Sequence, residues 1–252
     1  MTAYRQVWQE MMRLGKTRVE SLLSTFLSTR CAVCDRLASQ VFCVDCLRQV
    51  EAEYSPFDTQ INNAEGLDIT QGKFAIGSLG VYQGTLKQAI LSLKYKNCPA
   101  VAHILGAELA RRWQPQLSQQ SRSLYVVPIP LHPNRLAQRG YNQAALIARS
   151  FSQISGFCLA ENALLRCTDT TPQHQLGAKA RQENLTSAFE VSIAWKRKLL
   201  KSQSRPDVLL IDDIYTTGAT AQSAVMALKV AGIPAVGFFV LARAESGGSD
   251  LL

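Results

Sequence analysis

Residues 208 to 220, Val-Leu-Leu-Ile-Asp-Asp-Ile-Tyr-Thr-Thr-Gly-Ala-Thr, constrain the fold more than any other stretch of the chain. An apolar run ends in two adjacent carboxylates, and a Thr/Gly-rich turn follows. Ala221, Ala224, Val225 and Leu228 then recur at helical spacing. The expected order is strand, acidic turn, hydroxyl-rich loop, helix. In an open α/β sheet, ligands sit at the carboxyl ends of strands, beside helix N-termini. The free N–H groups and the dipole of such an N-terminus attract phosphate. Gly218 carries no Cβ and lets the backbone approach an anion closely, while Thr216, Thr217 and Thr220 add hydroxyl donors. Asp212 and Asp213 repel a phosphate, so they need another task on the same ligand. Ionised carboxylates only accept hydrogen bonds, which suits vicinal ribose hydroxyls. The loop therefore reads as a site for a ribose 5-phosphate. Taken singly, an Asp-Asp pair also suits a metal or a solvated turn, and Thr-Thr-Gly a plain turn. Gly15-Lys16-Thr17 ends like a P-loop, but Glu10 stands where its first glycine belongs and no strand precedes it.

Cys31-Ala-Val-Cys34, eight residues, then Cys43-Val-Asp-Cys46 form the second signal. Two Cys-x-x-Cys knuckles can converge four thiolates on one tetrahedral metal, of which zinc is the usual occupant. Spacing alone leaves iron open. A disulfide or redox role is the alternative, although seven cysteines are an odd number and no secretory segment is evident. Four ligands close the coordination sphere, so the metal is expected to be structural. Cys98, Cys158 and Cys167 stand singly and read as buried or neutral thiols.

The net charge of +8 is unevenly placed. Residues 1 to 60 hold seven Lys/Arg and seven Asp/Glu, so the basic excess belongs entirely to residues 61 to 252. That suits a polyphosphate ligand or a nucleic acid, and charge alone does not separate them. The densest basic run, Lys196-Arg197-Lys198 with Lys201 and Arg205 beyond, reads as solvated surface, with a nucleic-acid contact as the alternative. No apolar run reaches the roughly 18 residues of a spanning helix. A cytoplasmic protein is expected, one that reaches the inner face of the membrane only through partners.

The chain divides into an amphipathic helical segment at 1–30, a zinc-binding module at 31–50, a linker or long loop at 51–72, an α/β domain at 73–243 and a tail at 244–252. Within the domain, a strand is expected at 74–82 and helices at about 84–95 and 99–113. Leu124-Tyr-Val-Val127 is a short buried strand halted by Pro128 and Pro130. A loop through His132, Pro133 and Asn134 leads to Arg139-Gly140-Tyr141-Asn142-Gln143, and a helix begins there. Gly140 beside Arg139 is a candidate second anion cradle, or else an ordinary turn. Residues 163–189, with Arg166, Gln173, His174, Gln175, Lys179, Arg181 and Asn184, read as a polar lid or a surface loop. His103, His132 and His174 have no spaced partner and are assigned no chemistry. A last strand is expected at 235–241.

In chain order, the four cysteines, Val127-Pro-Ile-Pro130 with Arg139-Gly-Tyr-Asn-Gln143, Gln173-x-x-Leu176 with Arg181-x-x-Asn184 and Phe189, and Ile211 to Thr220 resemble the ComF family of competence-linked proteins. The last string is similar to the PRPP-binding signature of type I phosphoribosyltransferases. The resemblance covers about residues 31 to 241. It implies a type I phosphoribosyltransferase-like fold, a mainly parallel sheet flanked by helices, behind a small four-cysteine zinc module. It further implies that Asp212 and Asp213 hold the ribose hydroxyls and that Thr216, Thr217, Gly218, Ala219 and Thr220 wrap the 5-phosphate. Arg139, Gly140, Tyr141 and Asn142 would form the pyrophosphate loop. Arg139, Lys179 and Arg181 are the candidates for a catalytic role, and Mg²⁺ would accompany PRPP. The implied function is a PRPP-binding competence protein acting in uptake and processing of single-stranded DNA, beside a competence helicase and a recombination mediator. An active phosphoribosyltransferase with an unidentified acceptor is one alternative. A zinc-dependent nucleic-acid-binding adaptor is the other.

Overall fold

A computed structural model describes residues 29–55, 74–118, 123–167, 188–200 and 206–244. The helix expected before residue 29, the linker from 56 onward, the interior of the 163–189 loop, Lys201, Arg205 and the tail from 245 lie outside the described residues.

The N-terminal module is a two-residue antiparallel pair, β1 (Thr29–Arg30) and β2 (Leu37–Ala38), followed by helix α1 (Val44–Ala52). The remaining elements mix strands and helices along the chain. They are β3 (Ala75–Val81), α2 (Gly84–Tyr95), α3 (Ala100–Ser118), β4 (Leu124–Pro128), α4 (Pro133–Arg139), α5 (Gln143–Ser155) and β5 (Cys158–Leu159). Then come β6 (Leu164–Arg166), β7 (Phe189–Val191), α6 (Ile193–Leu200), β8 (Asp207–Tyr215), α7 (Ala219–Val230) and β9 (Ala235–Arg243).

Five strands make one sheet in the order β3-β9-β8-β4-β5, and every pairing in it is parallel. A parallel sheet needs both faces covered, so its strands read as apolar runs rather than alternating ones. Val208-Leu209-Leu210-Ile211 shows the result: all four are fully buried, but on opposite faces. Leu209 and Ile211 join Val126, Leu79 and Phe239 against α2, α3 and α5. Val208 and Leu210 join Val127, Phe238 and Val240 against α7, α6 and the β6–β7 hairpin. Truncating one such leucine to alanine costs about 2–5 kcal/mol. The architecture is the one expected, a parallel sheet flanked by helices behind a four-cysteine module.

The module shares the core of the first face, into which Ala32, Phe42 and Val50 are packed. Of the stretch read as a linker, residues 51–55 are tied down. Glu53, just past α1, accepts hydrogen bonds from the backbone N–H groups of Thr85 (2.7 Å) and Leu86 (2.8 Å). These are first-turn donors of α2, which otherwise lack partners, and a carboxylate there also complements the helix dipole. Gly84 has φ +50°, and a Cβ on it would collide with the Glu53 carboxylate. At the other end of α2, Lys96 pairs with Asp35 of the first cysteine knuckle (3.3 Å).

Two departures from the sequence expectation bear on the site. The loop after β4 contains a helix, α4, capped by His132 and begun by Pro133, a residue suited to the first helical position. The two carboxylates lie inside β8 rather than in a turn, because β9 continues to pair with that strand as far as Tyr215↔Arg243.

Candidate functional site

The four Sγ atoms of Cys31, Cys34, Cys43 and Cys46 lie within 4.8 Å of one another. Local geometry brings them there. Cys31 leaves β1 and closes a tight knuckle in which Asp35 takes a positive φ of 60° and its N–H bonds to the Cys31 carbonyl (3.0 Å). Cys43 is the N-cap of α1, so Cys46 falls in the first helical turn. A tetrahedral zinc with Zn–S bonds of about 2.3 Å needs sulfurs about 3.8 Å apart, and Cys34 and Cys43 are 3.8 Å apart. The surroundings favour thiolates. Arg36 donates to Cys34 Sγ (3.3 Å), and this contact, with its backbone N–H, lowers the Cys34 thiol to about 6. Burial pushes Cys31 up, but the N–H groups of Cys34, Cys43 and Val33 outweigh it and leave the thiol below its ordinary value. Burial raises Cys46. The residues fit a closed four-thiolate site for a metal such as zinc, with no protein-free position for chemistry.

The second constellation lies at the carboxyl end of β8. From β4 the chain runs outward to β5, then returns to place β8 on the other side of β4. That reversal makes the β4–β8 boundary the switch point where open α/β sheets hold ligands. Pairing of β8 with β4 ends at Pro128↔Ile211, with one more bond from Ile129 N–H to the Ile211 carbonyl (2.9 Å). From Asp212 onward β8 is paired, among the described residues, only with β9. Adjacent strand residues point to opposite faces, so the two acids occupy different surroundings. Asp212 folds back to accept from the Asp213 N–H (2.8 Å). Burial first, and the Asp213 charge second, push its carboxyl up to about 8, against the opposing fields of Lys94 and Arg166. Asp213 forms an ion pair with Lys94 (3.0 Å), both side chains being largely buried at 14% and 15% exposure.

Immediately beyond, Thr216 and Thr217 are exposed and Gly218 is buried. Gly218 is the N-cap of α7 in the left-handed region (φ +78°) and makes no side-chain cap bond, while the Ala219 N–H donates to the Thr217 hydroxyl (3.5 Å). An added Cβ would lie 2.5 Å from the Tyr215 hydroxyl. Ala219 and Thr220 form the first turn of α7. The turn Arg139–Asn142 is brought to the same end of the sheet. Asn142 donates to the Ile129 carbonyl (2.9 Å) and caps α5 by accepting from Ala144 N–H (3.0 Å). Arg139 donates to Gln143 (3.1 Å) and lies over the Tyr95 ring at 5.6 Å. The Tyr141 hydroxyl donates to the Leu93 carbonyl (2.6 Å). Lys179 and Arg181 lie outside the described residues.

A cavity of about 670 Å³ opens beside this turn, lined among others by Pro130, Leu146, Leu164 and Arg166, with the Arg149–Glu161 ion pair in its wall. Among the other cysteines, Cys98 is half-buried, whereas Cys158 and Cys167 are exposed rather than buried. Lys196-Arg197-Lys198 lies on α6, whose Trp195 is buried while Lys198 covers the Tyr125 ring. No described helix is long and apolar enough to cross a membrane.

Competence protein F of Haemophilus influenzae Rd is 26% identical to the chain over 236 residues, spanning 88% of this chain and all of that protein. Competence protein ComFC of Streptococcus pneumoniae R6 is 26% identical over 218 residues, 86% of this chain and 88% of that one. The chain is thus similar, over most of its length, to competence proteins of the ComF type. DNA utilization protein YhgH of Escherichia coli K12 is 31% identical over 118 residues, which is 47% of this chain and 48% of YhgH. No protein-family model matches the chain.

The sequence reading missed Lys94, Tyr95 and the involvement of Arg166. Lys94 did leave a signal. In α2 the buried Leu86 and Ile90 lie eight and four residues before it, so a charge stands on the apolar stripe. Arg166 gave none, since its nearness to Asp212 depends on how the β6–β7 hairpin folds against the sheet.

Proposed function

We propose that the chain is a ComF-type protein that binds PRPP at the carboxyl end of β8 and acts in the handling of single-stranded DNA during natural transformation. The observation that carries the reading is the end of β8: past Ile211 the strand has no partner on its β4 side among the described residues, and two acids there precede a helix N-terminus whose N-cap is a glycine. In this reading the first turn of α7 and the Thr216–Thr220 hydroxyls receive the 5-phosphate. Asp212 and Asp213 accept from the ribose hydroxyls, and the Arg139–Asn142 turn faces the diphosphate. Mg²⁺ would neutralise the diphosphate while drawing most of its ligands from PRPP itself. The DNA role is supported by relatives named Competence protein F, ComFC and DNA utilization protein. A competence helicase and a recombination mediator are the partners we propose. Zinc in the cysteine module then holds the N-terminal part folded.

PRPP with Mg²⁺ at about a hundred times its Kd should stabilise the protein by roughly 2.7 kcal/mol, seen as a rise in melting temperature. Replacing both acids, Asp212→Ala with Asp213→Ala, should abolish the rise. A wild type whose melting point ignores PRPP would remove the ligand claim.

One observation favours catalysis as well. The cavity beside the Arg139–Asn142 turn is within the volume range of small-molecule sites, and a transferase needs room for an acceptor. In that reaction the acceptor's lone pair forms the bond to ribose C1, while pyrophosphate leaves with the electrons of the C1–O bond. Arg139 and the turn N–H groups would stabilise the growing negative charge, a positioning and electrostatic task. A pyrophosphate-release screen with PRPP and candidate bases and amines tests this, and silence across the screen would favour binding without turnover.

A further inference from the structure

Lys94 is a costly residue for a helix to bury. Its side chain is 15% exposed, on the stripe that otherwise packs Leu86 and Ile90 into the core. A buried ion pair of this kind contributes little net stability, and apolar residues of similar volume often replace one at no loss. The pair with Asp213 therefore calls for an explanation other than packing.

Its neighbours supply one. Three consecutive residues at the end of α2 reach the two halves of the candidate site. The Leu93 carbonyl accepts from Tyr141, Lys94 pairs with Asp213, and the Tyr95 ring lies under Arg139. Lys94 thus stands between the acid pair and the turn at residues 139–142. Arg139 is already engaged by Gln143 and Tyr95, and Arg166 acts on Asp212. Lys94 is the cation that shares its charge with Asp213.

We infer that Lys94 is a ligand-binding residue that passes from Asp213 to the diphosphate of PRPP, and so sets the preference for PRPP over ribose 5-phosphate. The inference rests on the reading of β8 as a PRPP site. When ribose hydroxyls donate to Asp213, they compete for the oxygens that hold Lys94. A diphosphate at ribose C1 offers the displaced ammonium a stronger anion within reach of its four-carbon stem. A ligand with only the 5-phosphate offers nothing on that side and must break the ion pair uncompensated.

Calorimetric titration with PRPP·Mg²⁺ and with ribose 5-phosphate tests the assignment. Lys94→Met should weaken PRPP binding about 10- to 100-fold, the loss of one hydrogen bond to a charged group. It should leave ribose 5-phosphate binding unchanged or tighter. Lys94→Arg should retain most of the preference for PRPP. Because Lys94→Met strands a buried carboxylate, the same comparison is made between Asp213→Asn and the double variant Lys94→Met, Asp213→Asn, where no charge is stranded. Unchanged PRPP affinity in Lys94→Met, or an equal loss for both ligands, would overturn the assignment while leaving the site intact. A wild type that binds no PRPP would overturn the site itself.

Discussion

Replacing Asp212 with asparagine should make the protein more stable and stop it binding PRPP. In the folded chain the Asp212 carboxyl is pushed up from an ordinary 3.8 to about 8, by burial first and by Asp213 second. At pH 7 the folded state therefore holds a proton that the unfolded state has released. Stability falls wherever the folded state binds more protons, by about 1.36 kcal/mol per pH unit for one group. Stability from the raised group is fully present below pH 3.8 and is lost progressively as pH rises to about 8. Carried from pH 3.8 to pH 7, the loss reaches about 4 kcal/mol. Asp212 is only partly shielded from solvent, which reduces the figure to about 2–4 kcal/mol. Asparagine has nearly the same shape, never ionises, and its side-chain oxygen can still accept from the Asp213 N–H. Urea denaturation of wild type and Asp212→Asn across pH 4 to 8.5 is the assay. Any pH dependence of the cysteine module is common to both proteins and cancels in the difference. The gap should be near zero at pH 4 and grow to about 2–4 kcal/mol at pH 7, roughly 5–15 °C in Tm for a chain of this size. PRPP should stabilise the wild type and leave the variant unmoved. A gap that does not change with pH, or a variant less stable than wild type at pH 8, would refute the reasoning.

Three further outcomes are expected. Elemental analysis should find about one zinc per chain, absent from Cys31→Ser, and a chelator should lower the melting temperature of the wild type but not of that variant. Gly218→Ala should cost about 1–2 kcal/mol for its left-handed backbone and should abolish stabilisation by PRPP, because its methyl group meets the Tyr215 hydroxyl; a thermal melt with and without ligand reads both. Glu53→Gln weakens the hydrogen bonds that hold the first turn of α2 and should lower stability by about 1 kcal/mol, seen as a lower urea midpoint with an unchanged slope.

What the sequence disclosed follows from how local each feature is. The β8 run, the small-residue turn and α7 are contiguous, so hydrophobic periodicity revealed them together. The two Cys-x-x-Cys knuckles are likewise short-range, and their sulfurs do converge. The helix α4 was hidden because none of its residues is buried, so it carries no apolar stripe to detect. The strands β6 and β7 are three residues each and lie far apart in sequence, beyond the reach of pattern reading. The acids looked like the end of a strand because charge usually marks one. Pairing with β9, decided elsewhere in the chain, carried the strand three residues further. Lys94 was visible as an anomaly on α2, but its partner comes from β8, more than a hundred residues away.

Helix α2 is braced by the cysteine module at both extremities, through Glu53 at one and Asp35 at the other. A module of this size that folds around bound thiolates is only as firm as its metal. Demetallation would therefore slacken the brace that sets Lys94, Tyr95 and the Leu93 carbonyl against the far end of the sheet. Thermodynamic reciprocity then requires that whatever the metal adds to sugar-phosphate affinity, the sugar phosphate adds to metal affinity in equal measure. With zinc and PRPP as the proposed ligands, the zinc content of the cell and the occupancy of a site formed by other strands would become a single coupled equilibrium.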